Sequence, residues 1–434
     1  MMRKLFKKPA LLFMIVGITG FLLRVLFVAD MEYKEDEEYN FAQTQLFGVT
    51  QPWPWHGMNS GVYLANPGMS IWVFAVLAKL FGIHHPTSLA TAVQLVAWLG
   101  ICLILPFAYR LIRDSSERLL WLWAYALAMV NPFLILYQRK LWPEPFLPLF
   151  VMATWAGWWM RSHFWGAFGW GLLGACLGQI HMSGFFLAFA VFLWTYIWQR
   201  ESTHWRAWFL GSVLGALPLI PWALEALQTP IHESIRVGWS EMVQFKYWVF
   251  WFTNPTGLHL GNALGILRGP SHWDQLSDFI RYPWVGGYPT YINGLAHWIG
   301  AGSCVWIFAR GLRSLKQRGS SWGEWMNGKS SPTLFLQNAS LILCGILMTL
   351  TGVVIRRYYL CATFPFEFIL MARMAQPKTR VGRNLLITLW IAQLVMAGTF
   401  VGYIHVNQGS ITGDYGPSYQ AQQKSLEDRS HVTH

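Results

Sequence analysis

Six of the chain's twenty acidic residues lie within nine positions, in the run Asp30-Met-Glu-Tyr-Lys-Glu-Asp-Glu-Glu38, directly after an apolar stretch. Another acid, Glu144, stands between two prolines in Tyr137-Gln-Arg-Lys-Leu-Trp-Pro-Glu-Pro145. Two carboxylates brought together from separate loops could deprotonate a hydroxyl or hold a divalent cation such as Mg or Mn, and Asp36 with Glu144 would be the metal ligands. Both groups also have a structural reading, because an acid in the first turn of a helix is favoured by the helix dipole. Tyr39, Phe41, Ala42, Leu46 and Phe47 recur at helical spacing, so Asp36 to Phe47 is predicted to be an amphipathic helix resting on a membrane surface.

Positive and aromatic groups could complement these acids. Arg356 and Arg357 are adjacent guanidiniums, suited either to multidentate phosphate binding or to anchoring at lipid headgroups. His181, in Gln179-Ile-His-Met-Ser, is a substrate candidate or a histidine satisfied at a helix end. Most of the 27 tryptophans sit at the ends of apolar runs, where indoles gather at membrane interfaces, but Trp53 and Trp55 fall in a loop and could stack on a sugar. There is no glycine-rich phosphate loop, no His-Glu-x-x-His pattern and no nucleophile elbow, so nucleotide-sugar and peptidase chemistry lack support. The five cysteines have no paired spacing and read as small core residues.

These groups must be held by membrane-spanning helices. Of the 434 residues, 54% are hydrophobic and only 12% charged, which excludes a soluble enzyme, a disordered chain and a disulfide scaffold. Apolar runs of spanning length recur throughout, giving an all-α polytopic membrane protein. The net charge of +12 reflects basic residues clustered in short loops and sets topology rather than implying nucleic acid. Arg3, Lys4, Lys7 and Lys8 place the N-terminus in the cytoplasm, and the first run is too long for a signal peptide core. Eleven spans are expected, near 9–29, 88–108, 119–137, 146–160, 165–180, 184–198, 207–226, 291–309, 333–355, 359–374 and 385–405. The run 67–83 carries Lys79 and is expected to lie on the outer face. The expected organisation is 1–226 as the catalytic module, with outer loops 30–87 and 138–145, then a large outer loop 227–290, C-terminal spans 291–405 and a mostly mobile outer tail 406–434.

The order Arg24, Asp36-Glu37-x-Tyr-x-x-Ala42, Asn66-Pro-Gly opening a run that ends Leu80-Phe-Gly, then Arg139 with Glu144, resembles the GT-C superfamily of polytopic glycosyltransferases. It is similar in particular to the branch of protein O-mannosyltransferases and aminoarabinose transferases that use polyprenyl-phosphate sugars. Arg356-Arg-Tyr-Tyr-Leu-Cys-Ala-Thr-Phe-Pro365 resembles a late segment of that branch. The resemblance implies Asp36 as the catalytic acid, with Glu37 beside it and Glu144 as the second-loop acid. Donor-phosphate contacts are expected at Arg356, Arg357 and Arg139, and substrate contacts at Asn66, His181, Trp55 and Tyr359. The partners would be a polyprenyl-phosphate-linked sugar, an acceptor glycan, lipid or protein, and membrane lipids. The reaction would take place on the outer face of the plasma (inner) membrane. An O-antigen ligase or polymerase, and a lipid-linked sugar transporter or flippase, are the alternatives. If Asp36 and Glu144 act together, their carboxyl groups are expected within roughly 10 Å of each other.

Overall fold

The computed structural model describes residues 9–59, 65–228, 245–266, 273–318, 331–351, 354–411 and 413–432. Among them, helices Pro86–Arg110, Trp205–Leu227, Ile292–Lys316, Pro332–Leu350 and Arg380–Asn407 are long and apolar enough to cross a bilayer, as a multi-pass membrane protein requires. A sixth is obtained if Ser115–Val130 and Pro132–Gln138 are counted as one span bent by 56°. The other expected positions carry shorter helices: Pro9–Val25, Leu147–Trp159, Phe164–Ile180, Ser183–Gln199 and Phe366–Ala375. The last has ten residues, about 15 Å at 1.5 Å per residue, and nearly all of it is buried beneath its neighbours. One buried apolar cluster takes side chains from Val16 in the first helix to Val401 in the last long one. Close helix contact relies on small residues: a side chain at Gly171 would strike the Trp208 carbonyl, and one at Gly211 the Phe168 carbonyl.

The bend has a local cause. Pro132 disfavours helical backbone at Asn131, whose side-chain oxygen instead accepts the Leu134 amide and starts the next helix. The carbonyls left open at the break are taken by Arg24, fully buried in the first helix. It donates to Ala128 O at 3.2 Å, Met129 O at 2.8 Å and Gln138 Oε1 at 2.7 Å. This is where the intramembrane arginine goes.

Two helices of the first long loop, Glu35–Leu46 and Met69–Phe81, lie where surface helices were expected and pack on each other. The amphipathic reading of the first needs correction. Its buried stripe is Glu37, Asn40 and Thr44, a polar face, because it turns toward the second loop rather than toward lipid. Asn40 Nδ2 donates to Leu141 O at 2.8 Å and ties the two loops together.

Two further expectations are revised. Within the stretch 227–290, helix Lys246–Thr253 inserts Tyr247 and Trp251 into the core. Tyr247 and Trp248 donate to the Ser340 and Leu341 carbonyls of a π-helical turn, Ala339–Leu343. The C-terminal segment, expected to be mobile, is a docked strap. Gly409–Ser410 pairs with Gly416–Pro417, and helix Tyr419–Val432 follows. Buried Tyr415 donates from its hydroxyl to Asp30 O at 2.6 Å, the Tyr419 amide donates to Met31 O at 3.0 Å, and Gln422 Nε2 donates to Tyr33 O at 2.6 Å.

Arg24→Met removes the donors from several buried carbonyls at the bend. It is expected to lower stability by about 3 kcal/mol, read as a reduced melting temperature of the purified protein in detergent.

Candidate functional site

The acidic run becomes helical at Glu35 and closes its first turn with its own side chain: the Lys34 amide donates to Glu37 Oε2 at 3.1 Å. Glu37 is thereby turned inward, while Asp36 sits half-buried on the rim. From the second loop, Pro143 and Pro145 hold Glu144 in a short 3-10 turn, with its carboxyl buried. Glu37 Oε1 and Glu144 Oε2 are buried and, among the described residues, have no hydrogen-bond partner, so each keeps hydrogen-bonding capacity that the fold does not use.

Lys140 lies between the two loops. Its ammonium pairs with Glu32 Oε2, while Lys34 Nζ contacts Glu32 Oε1 at 2.8 Å. Lys140 also stands over the Trp142 ring at 4.1 Å and the Tyr137 ring at 5.8 Å. Its charge opposes the proton affinity of Asp36, Glu37 and Glu144 alike, so all three carboxyls are within its electrostatic reach. Burial acts the other way and dominates. It raises Asp36 above the ordinary carboxylate value, Glu37 to about 7 and Glu144 to about 8, with the charge of Asp36 adding to the rise at Glu144. The site therefore holds carboxyls of graded acidity. Near neutral pH Glu144 keeps its proton and can donate a hydrogen bond, while rim-lying Asp36 is placed to accept one.

His181 joins Glu144 across the cleft, Nε2 to Oε1 at 3.4 Å. The Ser183 amide donates to its Nδ1 at 3.3 Å, so in the neutral ring the hydrogen is on Nε2 and faces Glu144. Burial lowers the His181 pKa to about 4, which keeps the ring neutral. Tyr358 and Tyr359 pack edge-on against His181, with ring centroids at 5.8 and 5.5 Å, and Tyr358 also meets Tyr137 at 5.8 Å and Trp142 at 5.4 Å. This aromatic wall continues the cation site to the late segment.

Asp36, Glu37, Glu144, His181 and Tyr359 are thus brought together. The two late arginines diverge: Arg356 is exposed beside Tyr358 and Tyr359, whereas Arg357 donates to Thr253 Oγ1 at 2.9 Å and Asn254 Oδ1 at 2.6 Å and covers Phe250. Arg139 is not presented to the cleft. Its guanidinium donates to the carbonyls of Arg24 and Leu26 at 2.7 Å and of Phe27 at 2.9 Å, closing the C-terminal end of the first helix. Asn66 Nδ2 donates to Met58 O at 2.9 Å and pins the two-stranded turn His56–Asn59 with Ala65–Pro67. Trp55 is half exposed and packs on Trp72 in the same loop. Glu32, Asn40 and Lys140 were missed by sequence reasoning. The signal for Lys140 was its place four residues before Glu144, where it reads as one more basic loop residue.

No protein-family model matches the chain, and no curated protein matches it. In fold it is similar to ArnT from Cupriavidus metallidurans in the apo state, with a TM-score of 0.44 and 15% identity over 97% of this chain and 79% of that one. The same protein bound to undecaprenyl phosphate gives 0.42 and 13% over 91% and 77%. The apo oligosaccharyltransferase from Archaeoglobus fulgidus gives 0.47 and 15%, covering 95% of this chain and 57% of that one.

Because the folded protein holds a proton on Glu144 up to about pH 8 while an ordinary glutamate releases it near 4.5, this group's contribution to stability is full below the lower value and is lost as pH rises through the upper one. Wild-type stability should fall across that window by up to about 1.4 kcal/mol per pH unit from this group. Glu144→Gln should flatten the decline, seen as a smaller drop in melting temperature between acidic and alkaline buffer.

Proposed function

We propose that the chain is a GT-C-type membrane glycosyltransferase that moves a sugar from a polyprenyl-phosphate donor to an acceptor hydroxyl at the outer face of the plasma membrane. The observation that carries this reading is the convergence of Asp36, Glu37 and Glu144 from two loops around Lys140, walled by Tyr358, Tyr359 and His181 and flanked by exposed Arg356. A transfer of this kind needs a base for the acceptor, positive charge for the departing phosphate, and a hydrogen-bond donor to its oxygens.

Asp36 takes the acceptor proton as the new bond to the anomeric carbon forms. The bond from that carbon to the phosphate oxygen breaks, and its electron pair leaves with the lipid phosphate. Attack opposite the leaving group inverts the anomeric centre. Protonated Glu144 donates to a phosphate oxygen, and Arg356 meets the phosphate from the exposed side.

The purified protein, incubated with radiolabelled polyprenyl-phosphate sugars and cell-envelope fractions, should label one fraction. Asp36→Asn should reduce that labelling by about 10²–10⁴-fold while the protein elutes normally from a sizing column. An Asp36→Asn protein with wild-type rates would remove Asp36 from the mechanism.

The two arginines should separate in the same assay. Arg356→Ala is expected to raise the donor KM about tenfold with an unchanged melting temperature, as loss of one charged hydrogen bond implies. Arg357→Ala should lower the melting temperature instead, since its partners are Thr253 and Asn254.

A further inference from the structure

Carboxylates converging from two loops are an arrangement in which a divalent cation is expected, yet the residues present do not fit one. Magnesium asks for near-octahedral oxygen ligands at about 2.0–2.1 Å. Here Glu32 has one oxygen on Lys140 and the other on Lys34, Glu37 Oε2 accepts the Lys34 amide and Glu144 Oε1 faces His181, so only Glu37 Oε1, Glu144 Oε2 and the half-buried Asp36 are left, short of that shell. Among the described residues, no group of three or more His, Cys, Asp or Glu is arranged to hold a metal ion.

The cation already present among them is the Lys140 ammonium, which pairs with Glu32 and acts electrostatically on Asp36, Glu37 and Glu144. The faces of Trp142 and Tyr137 complete its surroundings, and such faces stabilise a monovalent cation while offering no oxygen ligand to a metal. An ammonium has three N–H donors, so Lys140 can hold Glu32 and still direct an N–H toward a phosphate oxygen in the cleft.

Resting on the transferase reading, we infer that Lys140 is the built-in cation of this site: its ammonium stands where a divalent ion would otherwise sit and neutralises the departing lipid phosphate, so transfer proceeds without added metal. The step balances as before, with the electron pair of the broken carbon–oxygen bond leaving on the phosphate and the acceptor proton on Asp36.

The test titrates MnCl2 alone into the detergent-purified full chain, reading free Mn²⁺ by electron paramagnetic resonance, beside transfer assays with and without EDTA. Wild type should show no saturable Mn²⁺ site and should transfer equally well in EDTA. Lys140→Ala should gain a saturable Mn²⁺ site that the wild type lacks and lose transfer at least about 100-fold. Lys140→Arg, which keeps the charge, should exclude Mn²⁺ and recover part of the rate. Saturable Mn²⁺ binding by wild type that Glu144→Gln abolishes overturns the inference, as does EDTA-sensitive transfer restored by Mn²⁺, or a folded Lys140→Ala that binds no Mn²⁺. The wild-type titration requires no variant and no turnover, so it decides the cation question even if every polyprenyl-phosphate sugar is refused.

Discussion

A buried positive charge needs a fixed partner, and the packing around the cleft keeps Lys140 paired. Burial is costly for the ionised forms of Glu37 and Glu144 and, to a smaller extent, of half-buried Asp36, and one ammonium offsets part of that for all three. The ammonium works only if it cannot retreat to water. Glu32 holds it from one side, and the faces of Trp142 and Tyr137 close another. Glu32 is in turn fixed by Lys34 and by a backbone bridge to Ser418 in the strap. Asn40 then sets the distance between the loops by holding the Leu141 carbonyl.

The guanidiniums divide between scaffold and surface on the same principle. Arg24 serves the open carbonyls of a bent helix, Arg139 the end of the first helix, and Arg373 forks onto both carboxylate oxygens of Glu117 at 3.1 Å. Each would be expensive to bury without such acceptors, and each has them. Arg356, by contrast, is exposed at the aromatic wall. These three arginines are engaged by the fold, whereas Arg356 is exposed.

Helix positions were legible because apolar runs and basic loops are dictated by the membrane itself, residue by residue. Asp36 and Glu37 stood out in an acidic run after an apolar stretch and Glu144 as an acid between two prolines, and the fold brings all three within the electrostatic reach of Lys140. What sequence could not yield was which polar side chains would face each other. Glu37, Asn40 and Thr44 form a polar inner stripe where periodicity alone favoured Tyr39 and Phe41, since the surface this helix meets is another loop rather than lipid. Arg139 and its neighbour Lys140 take different directions, and that of Arg139 depends on the first helix ending nearby with unpaired carbonyls. The strap escaped notice because its contacts join residues hundreds of positions apart, which local composition does not encode.

The strap also places the site in time. Tyr415 and Asp30, which bond directly, are 385 positions apart. At roughly 5–20 residues per second, the ribosome completes the acidic loop about 20–80 seconds before it makes the tyrosine that secures it. During that interval a highly charged loop stands at the membrane without its final partner. The latch on the acid loop therefore forms only after the intervening helices have been made, and a ribosome that stalls before Tyr415 leaves that loop unlatched.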